Sequence, residues 1–218
     1  MSYLQTVYSE SIRPKTEYPQ QLARHLVQMF RLRPGMRLLD VGCGRGDFTA
    51  AFAAGGLVVD GVDREAVEGF PKEVSFSRAD ISQTFPYPDN TFDVVFSKSV
   101  IEHMANPEQF IRENLRVLKQ GGLLVCMTPD WKTTLYVFYD DHTHVCPLTV
   151  LGMRDLLSIA GAREISSEIF YQLPVLWQHP WLIVFSKLLQ LAGPVKKMYK
   201  NKFHRWSREL MVLGYARK

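Results

Sequence analysis

Three glycines at every second position, Gly42, Gly44 and Gly46 in "LLDVGCGRGDF", follow an apolar run that ends in Asp40. Glycine has no Cβ, so a loop of this composition lets a ligand approach backbone N–H groups directly. Dinucleotide-binding loops space their glycines as G-x-G-x-x-G, which here would need a glycine at 47, and that residue is Asp47. A carboxylate at the loop mouth repels a pyrophosphate but tolerates a cation or an amino group. Asp63 ends the next apolar run, "LVVDGVD", where an acid is placed to accept from both hydroxyls of a ribose. Asp80, in "RADI", is placed to accept from the exocyclic amine of an adenine, with Ile81 covering the ring. Each acid alone is also an ordinary turn or cap residue. Together they specify a ligand with a ribose, an amino-bearing base and no phosphate.

Two further stretches carry groups that titrate or ligate metal. "SVIEHM" supplies Glu102 and His103, and "DDHTHV" supplies Asp140, Asp141, His142 and His144. Histidine is the usual general base near neutral pH, so His103, His142 and His144 are the candidates for removing a proton. Glu102 with His103, His142 and His144 is alternatively a ligand set for Mg, Mn or Zn.

These groups need strands that end at one edge of a sheet. "MRLLDVG", "LVVDGVD", "VSFSRAD", "FDVVFS" and "GLLVCMT" read as buried strands, and "REISSEIF" and "RELMVLGYARK" as two more. Between and around them, "YPQQLARHLVQMFRL", with Leu22, Leu26, Met29 and Phe30 at helical spacing, "GDFTAAFAAGG", "PEQFIRENLRVLKQGG" and "LTVLGMRDLLSIAGA" read as helices. This alternation predicts a layered α/β domain. The second and third helices are expected to end at Gly55–Gly56 and Gly121–Gly122.

The ordered set "LLDVGCGRG", "GVDRE", "ADI", "FPYPDNTFDVVFSKSVIEHM" and "VLKQGGLLV" resembles class I S-adenosylmethionine-dependent methyltransferases, specifically the branch like the ubiquinone-biosynthesis O-methyltransferases. The resemblance covers residues 35 to 165. It implies a Rossmann-like, mostly parallel sheet of seven strands with an antiparallel last strand and helices on both faces. It also implies S-adenosylmethionine as cofactor and S-adenosylhomocysteine as product. Asp40, Gly42, Cys43, Gly44 and Gly46 would form the loop around the cofactor; Asp63, with Arg64 beside it, would hold the ribose; Asp80 and Ile81 would hold the adenine; and Ser97 would line the pocket. Asp141, Thr143 and His144 are similar to a D-x-T-H segment that many members place over the acceptor, which makes His144 the first choice of base. The metal alternative resembles RNA 3′-terminal 2′-O-methyltransferases, but these carry an acid three residues before the Glu, where this chain has Ser99. A metal is therefore not expected to be required.

The chain of 218 residues is 46% apolar and its three cysteines show no paired spacing, which excludes a disulfide scaffold and a cysteine zinc site. No secretory leader is expected from "MSYLQTVYSESIRPK", and a cytoplasmic location follows as the expectation. The expected organisation is one domain over 1–218: a helical cap over 1–34, a cofactor-binding core over 35–170, a helical insertion over 171–206 and the last strand over 207–218. Residues 171–218 hold nine Lys or Arg and one acid, Glu209, whereas the rest of the chain is net acidic. The insertion joins Trp177, Trp181 and "PWLIVFSKLLQLAG" to a basic run, Lys196, Lys197, Lys200, Lys202 and Arg205. Its apolar part is too short to span a bilayer. Peripheral membrane contact through 174–205, a lid and a dimer surface all fit it, and no specific nucleic-acid pattern does. The expected activity is O-methylation of a small-molecule or lipid-linked acceptor. A nucleotide-binding oxidoreductase and a cofactor-binding domain without turnover are the competing classes.

Overall fold

The computed structural model describes residues 14–65, 69–72, 74–191 and 205–218. In chain order the strands are β1 (Arg37–Val41), β2 (Val58–Asp63), β3 (Ser75–Arg78), β4 (Phe92–Lys98), β5 (Leu118–Pro129), β6 (Arg163–Phe170) and β7 (Met211–Arg217). They form one seven-stranded sheet in the order β3-β2-β1-β4-β5-β7-β6. β1 to β5 run parallel, and β7 is antiparallel to both of its neighbours, with Met127 opposite Leu213 on one side and Ile169 opposite Val212 on the other. The strand order reverses between β1 and β4, the place where open α/β sheets open a crevice at their carboxyl ends.

Helices cover both faces because the central strands are apolar on both sides. On one face α1 (Tyr18–Met29) and α2 (Asp47–Ala54) bury Leu22, Leu26 and Phe52 against Phe96 and Val94. On the other, α3 (Pro107–Val117) and α5 (Val150–Ile159) bury Phe110, Ile111, Met153 and Leu157 against Val95, Leu124 and Val212. Local chemistry sets their starts: the Asn106 side chain accepts from the Gln109 N–H to open α3, and Thr149 accepts from the Gly152 N–H to open α5. Three shorter helices are α4 (Trp131–Thr134), α6 (Pro174–Gln178) and α7 (Ile183–Leu191).

Three expectations shift. α3 ends at Val117 rather than at the glycine pair, because Leu118 is extended and already pairs with Phe92. Gly122 instead serves a tight bend in β5, where a Cβ would lie 2.8 Å from the Lys119 carbonyl oxygen. In α1 the buried face is Leu22, Ala23 and Leu26, and Met29 lies outside it at 39% exposure. The last strand begins at Met211, four residues after the expected start, and residues 196–202 of the basic run lie outside the described residues.

Candidate active site

The loop after β1 alternates residues in the left-handed region, with φ of 74° at Gly42, 53° at Gly44 and 78° at Gly46. Two of these glycines also make room. A Cβ on Gly42 would sit 2.3 Å from Val100 Cγ2, and one on Gly46 would meet Phe70 at 2.7 Å. The loop is thereby packed against apolar side chains from the next crevice positions, and only glycine permits both the conformation and the approach. Its backbone is tied down by the Gly42 N–H donating to the Val62 carbonyl at 2.8 Å and the Gly44 N–H donating to Asp63 Oδ2 at 2.9 Å.

Beside this loop lies a cavity of about 500 Å³, lined by Gly42 to Arg45, Asp47, Phe48, Asp63 to Glu65, Ile81, Lys98 to Val100, His103, Met104 and Thr143. Of the cofactor residues read from sequence, Gly42, Cys43, Gly44, Asp63, Arg64 and Ile81 are on its wall. Asp40, Gly46, Asp80 and Ser97 are off the wall. Asp40 is buried and accepts from the Thr49 hydroxyl at 2.7 Å, tying β1 to the first turn of α2. Burial pushes the Asp40 carboxyl up to about 7, and the neighbouring Asp63 charge adds to the rise. Gly46 is the left-handed residue from which α2 starts. Asp80 is exposed and its Oδ1 accepts from both the Ser82 N–H and the Ser82 hydroxyl, the turn-forming role open to any such acid. Ser97 is buried inside the sheet at 1% exposure.

The electrostatics of Asp47 also differ from the sequence reading. Its carboxylate accepts from Arg45 Nη2 at 2.6 Å, so the acid at the loop mouth is compensated by a cation two residues earlier. Repulsion of a phosphate by Asp47 is correspondingly weaker than its isolated charge implies. Sequence reasoning gave no cavity role to Phe48, Lys98 and Ser99, and named Thr143 only within the D-x-T-H resemblance. Lys98 Nζ lies 5.7 Å from the centre of the Phe48 ring and 6.0 Å from that of Tyr18. Ser99 has a φ of 58°, an uncommon conformation for a side-chain-bearing residue, held by its N–H donating to the Met127 carbonyl at 2.8 Å. Its position directly after a strand that ends in the crevice was the available signal.

The two histidine stretches meet beside the cavity, with His103 and Thr143 on its wall. A 3-10 turn at Ile101–His103 and the loop around Asp141 to Cys146 are joined because the Glu102 carbonyl accepts from the Val145 and Cys146 N–H groups at 2.8 and 3.0 Å. Thr143 links them through side chains: its Oγ1 lies 2.6 Å from Asp141 Oδ1 and 2.9 Å from His103 Nδ1. The hydroxyl has one proton, and the carboxylate can only accept it. His103 Nδ1 must then carry a proton and donate to Thr143 Oγ1, which leaves Nε2 as the basic nitrogen. Burial, followed by the nearby His144, holds His103 below the usual histidine range, so its neutral form is favoured.

His144 is behind this wall. Its Nδ1 is 2.7 Å from the Phe138 carbonyl oxygen and must donate to it, and its ring packs edge-on to His103 at 4.8 Å between centroids. Glu102 is buried, accepts from the Thr128 hydroxyl at 3.0 Å, and is pushed up to about 7 by burial. Glu102, His103 and His144 nonetheless each offer a ligand atom within 4.8 Å of the others. His142 is exposed and is not part of that cluster.

Comparison with known proteins now separates the candidate classes. Residues 39–126 match the family described as Methyltransferase domain. The chain carries a methyltransferase domain. The ubiquinone/menaquinone biosynthesis C-methyltransferase of Ectopseudomonas mendocina is 35% identical over 118 residues, 48% of this chain and 46% of that protein. The ubiquinone biosynthesis O-methyltransferase of Maricaulis maris is 35% identical over 105 residues, 43% of this chain and 41% of that protein. The crystal structure of an S-adenosylmethionine-dependent methyltransferase from Archaeoglobus fulgidus superposes over 100% of both chains with a TM-score of 0.66 at 18% identity, which establishes a shared fold. The chain spans less than half the length of the curated relatives it matches.

The methyltransferase domain's glycine loop, Asp63 and Ile81 fit S-adenosylmethionine on the geometry described above. Gly42 lets Val100 and Ile81 close an apolar wall against the loop, and Asp63 presents a carboxylate on the same cavity. Burial pushes the Cys43, Cys126 and Cys146 thiols upward, which disfavours the thiolate at each, and none of the three is in a disulfide.

Proposed function

We propose that this protein is an S-adenosylmethionine-dependent methyltransferase that methylates a hydroxyl on a small-molecule or lipid-linked acceptor. One observation carries the reading: the glycine loop, Asp63 and His103 line the same cavity, with His103 Nδ1 held by Thr143. The cofactor would supply an activated methyl group whose transfer is an in-line displacement. The chain's own residues then have two tasks, to fix the acceptor oxygen on that line and to accept its proton. Asp63 would accept from the ribose hydroxyls, and Ile81 with Val100 would enclose the base. His103 Nε2 would take the proton, with Asp141 and Thr143 orienting the ring; His144 supports the same turn from behind. Relatives named for ubiquinone biosynthesis include both an O- and a C-methyltransferase, and a base over the cavity favours oxygen.

The test is transfer of a carbon-13 methyl group from labelled cofactor to an extract of small molecules and lipids, with the product read by NMR. A methyl carbon on oxygen, and a loss of about 100-fold or more in rate with His103→Gln, is the expected result. A product methylated on carbon or nitrogen, or a His103→Gln protein of undiminished rate, contradicts it.

A second reading is favoured by the Glu102, His103 and His144 cluster, whose ligand atoms suit a divalent cation beside the acceptor hydroxyl. Loss of transfer on chelation, restored by Mg or Mn, would select it; unchanged transfer in a chelator selects the metal-free route.

A further inference from the structure

The part of the chain least used by the cavity is α7 and the turn before it. Trp181, Val184, Phe185, Leu188 and Leu191 are 64, 61, 52, 56 and 83% exposed. At helical spacing these side chains form one continuous outward stripe, whereas Ser186 faces inward, where its Oγ donates to the Ser207 carbonyl at 3.2 Å. Gln190 donates to the same carbonyl at 2.9 Å, so the inner face of α7 is anchored by polar bonds and its apolar face is turned away from the protein. An amphipathic helix normally does the opposite, and a large exposed apolar patch marks an interaction surface.

We propose that this stripe docks the protein on an anionic lipid surface. Charge decides between the possible occupants. No Asp or Glu occurs between residues 171 and 208, where there are seven Lys or Arg. One of these, Lys187, is exposed on α7 itself, and Lys196, Lys197, Lys200 and Lys202 follow in the sequence after the helix, whereas Arg205 is paired with Glu209 and Arg208 is buried. Apolar side chains that enter the acyl boundary, flanked by cations that meet acidic headgroups, are the composition of an interfacial helix. A second copy docked through the same stripe would bring its own Lys187 and no acidic side chain of α7 to meet the first, which like-charge repulsion opposes. Nucleic acid would match the cations but leave the apolar stripe in water. Among the described residues no helix is long and apolar enough to cross a membrane, so contact is confined to the surface.

α6, which precedes the stripe in the chain, packs toward the cavity through aromatic rings. Trp177, in α6, stacks on His25 at 4.5 Å and lies 6.3 Å from Tyr18. Tyr18 in turn is 6.4 Å from Phe48, a cavity residue, and next to Lys98. Membrane binding itself does not depend on which atom is methylated.

The experiment is co-sedimentation of the full chain with vesicles of phosphatidylcholine, alone or mixed with phosphatidylglycerol. Binding to the mixed vesicles, weakening as salt is raised, and falling by about tenfold or more in the Phe185→Ser/Leu188→Ser double variant, is the expected result. The upward shift in melting temperature given by S-adenosylhomocysteine should be the same in that variant, because both residues are exposed and neither lines the cavity; this separates failure of docking from failure of the cofactor reading. Equal binding to both vesicle types, no binding to either, or undiminished binding of the double variant overturns the proposal. So does a dimer in sedimentation equilibrium that the double variant abolishes while vesicle binding is absent, which would assign the stripe to a second copy.

Discussion

Replacement of Asp63 by alanine removes two different interactions at once, and the structure separates them. Asp63 Oδ2 accepts from the Gly44 N–H at 2.9 Å, so the carboxylate shapes the glycine loop before any ligand arrives. In the proposed complex the same carboxylate accepts from ribose hydroxyls, and hydrogen bonds to a charged group contribute about 1.5 to 3 kcal/mol each. Loss of one such bond weakens S-adenosylhomocysteine binding by roughly 10- to 100-fold, and loosening of the loop adds to this. Asp63→Asn keeps one carbonyl oxygen for the Gly44 N–H but loses the charge, so its defect should be smaller, about 5- to 10-fold. Isothermal titration calorimetry with S-adenosylhomocysteine measures both variants, and melting without ligand controls for folding. The half-buried position of Asp63 predicts a ligand-free fall of a few degrees only. An Asp63→Ala protein that is folded and binds S-adenosylhomocysteine within twofold of the native chain refutes the placement of the ribose.

Other perturbations address the packing and electrostatics behind the site. Gly42→Ala puts a Cβ 2.3 Å from Val100 Cγ2 at a φ of 74°, so it should abolish measurable cofactor binding by calorimetry, whereas Val100→Ala combined with Gly42→Ala should recover only part of it because the conformational strain persists. Asp40 is held near 7 in the folded protein against an ordinary 3.8, so its native form keeps a proton that the unfolded chain has already released. The stability this contributes is complete below about pH 4 and is lost as pH rises through about 7. Asp40→Asn should flatten the melting-temperature profile over that window by an amount corresponding to a few kcal/mol, and an unchanged profile contradicts the burial-driven shift. Glu102, raised from 4.5 to about 7 for the same reason, should behave alike in Glu102→Gln, with its own loss between about pH 4.5 and 7.

How much of this was legible in the sequence depended on whether the signal was local. Strands ending in Asp40 and Asp63, and glycines at alternate positions, are local patterns, and Gly42, Cys43, Gly44, Asp63, Arg64 and Ile81, read from them and their neighbours, lie on the wall of one cavity. Asp80 and Asp40 show the limit: an acid at a strand end looks the same whether it meets a ligand, caps a turn at Ser82 or ties down Thr49. The histidines were found as types, and His144 was put first by resemblance alone, because what distinguishes them in the fold rests on contacts forty residues apart. Thr143 bonds to His103, and the Glu102 carbonyl holds Val145, so the loop turns His103 toward the cavity and His144 behind it. The bend at Gly122 was hidden for a similar reason, since a glycine pair after an amphipathic run also ends helices. The exposed face of α7 was the reverse case: the sequence showed an apolar helix with cations after it, and only the structure showed which side is turned outward.

The most direct test of the central claim is thermal melting of the purified chain with S-adenosylhomocysteine and, separately, with NAD. The account predicts a rise in melting temperature that grows with S-adenosylhomocysteine concentration, as expected when a ligand binds only the folded state, and no shift with NAD. A rise with NAD and none with S-adenosylhomocysteine would contradict it.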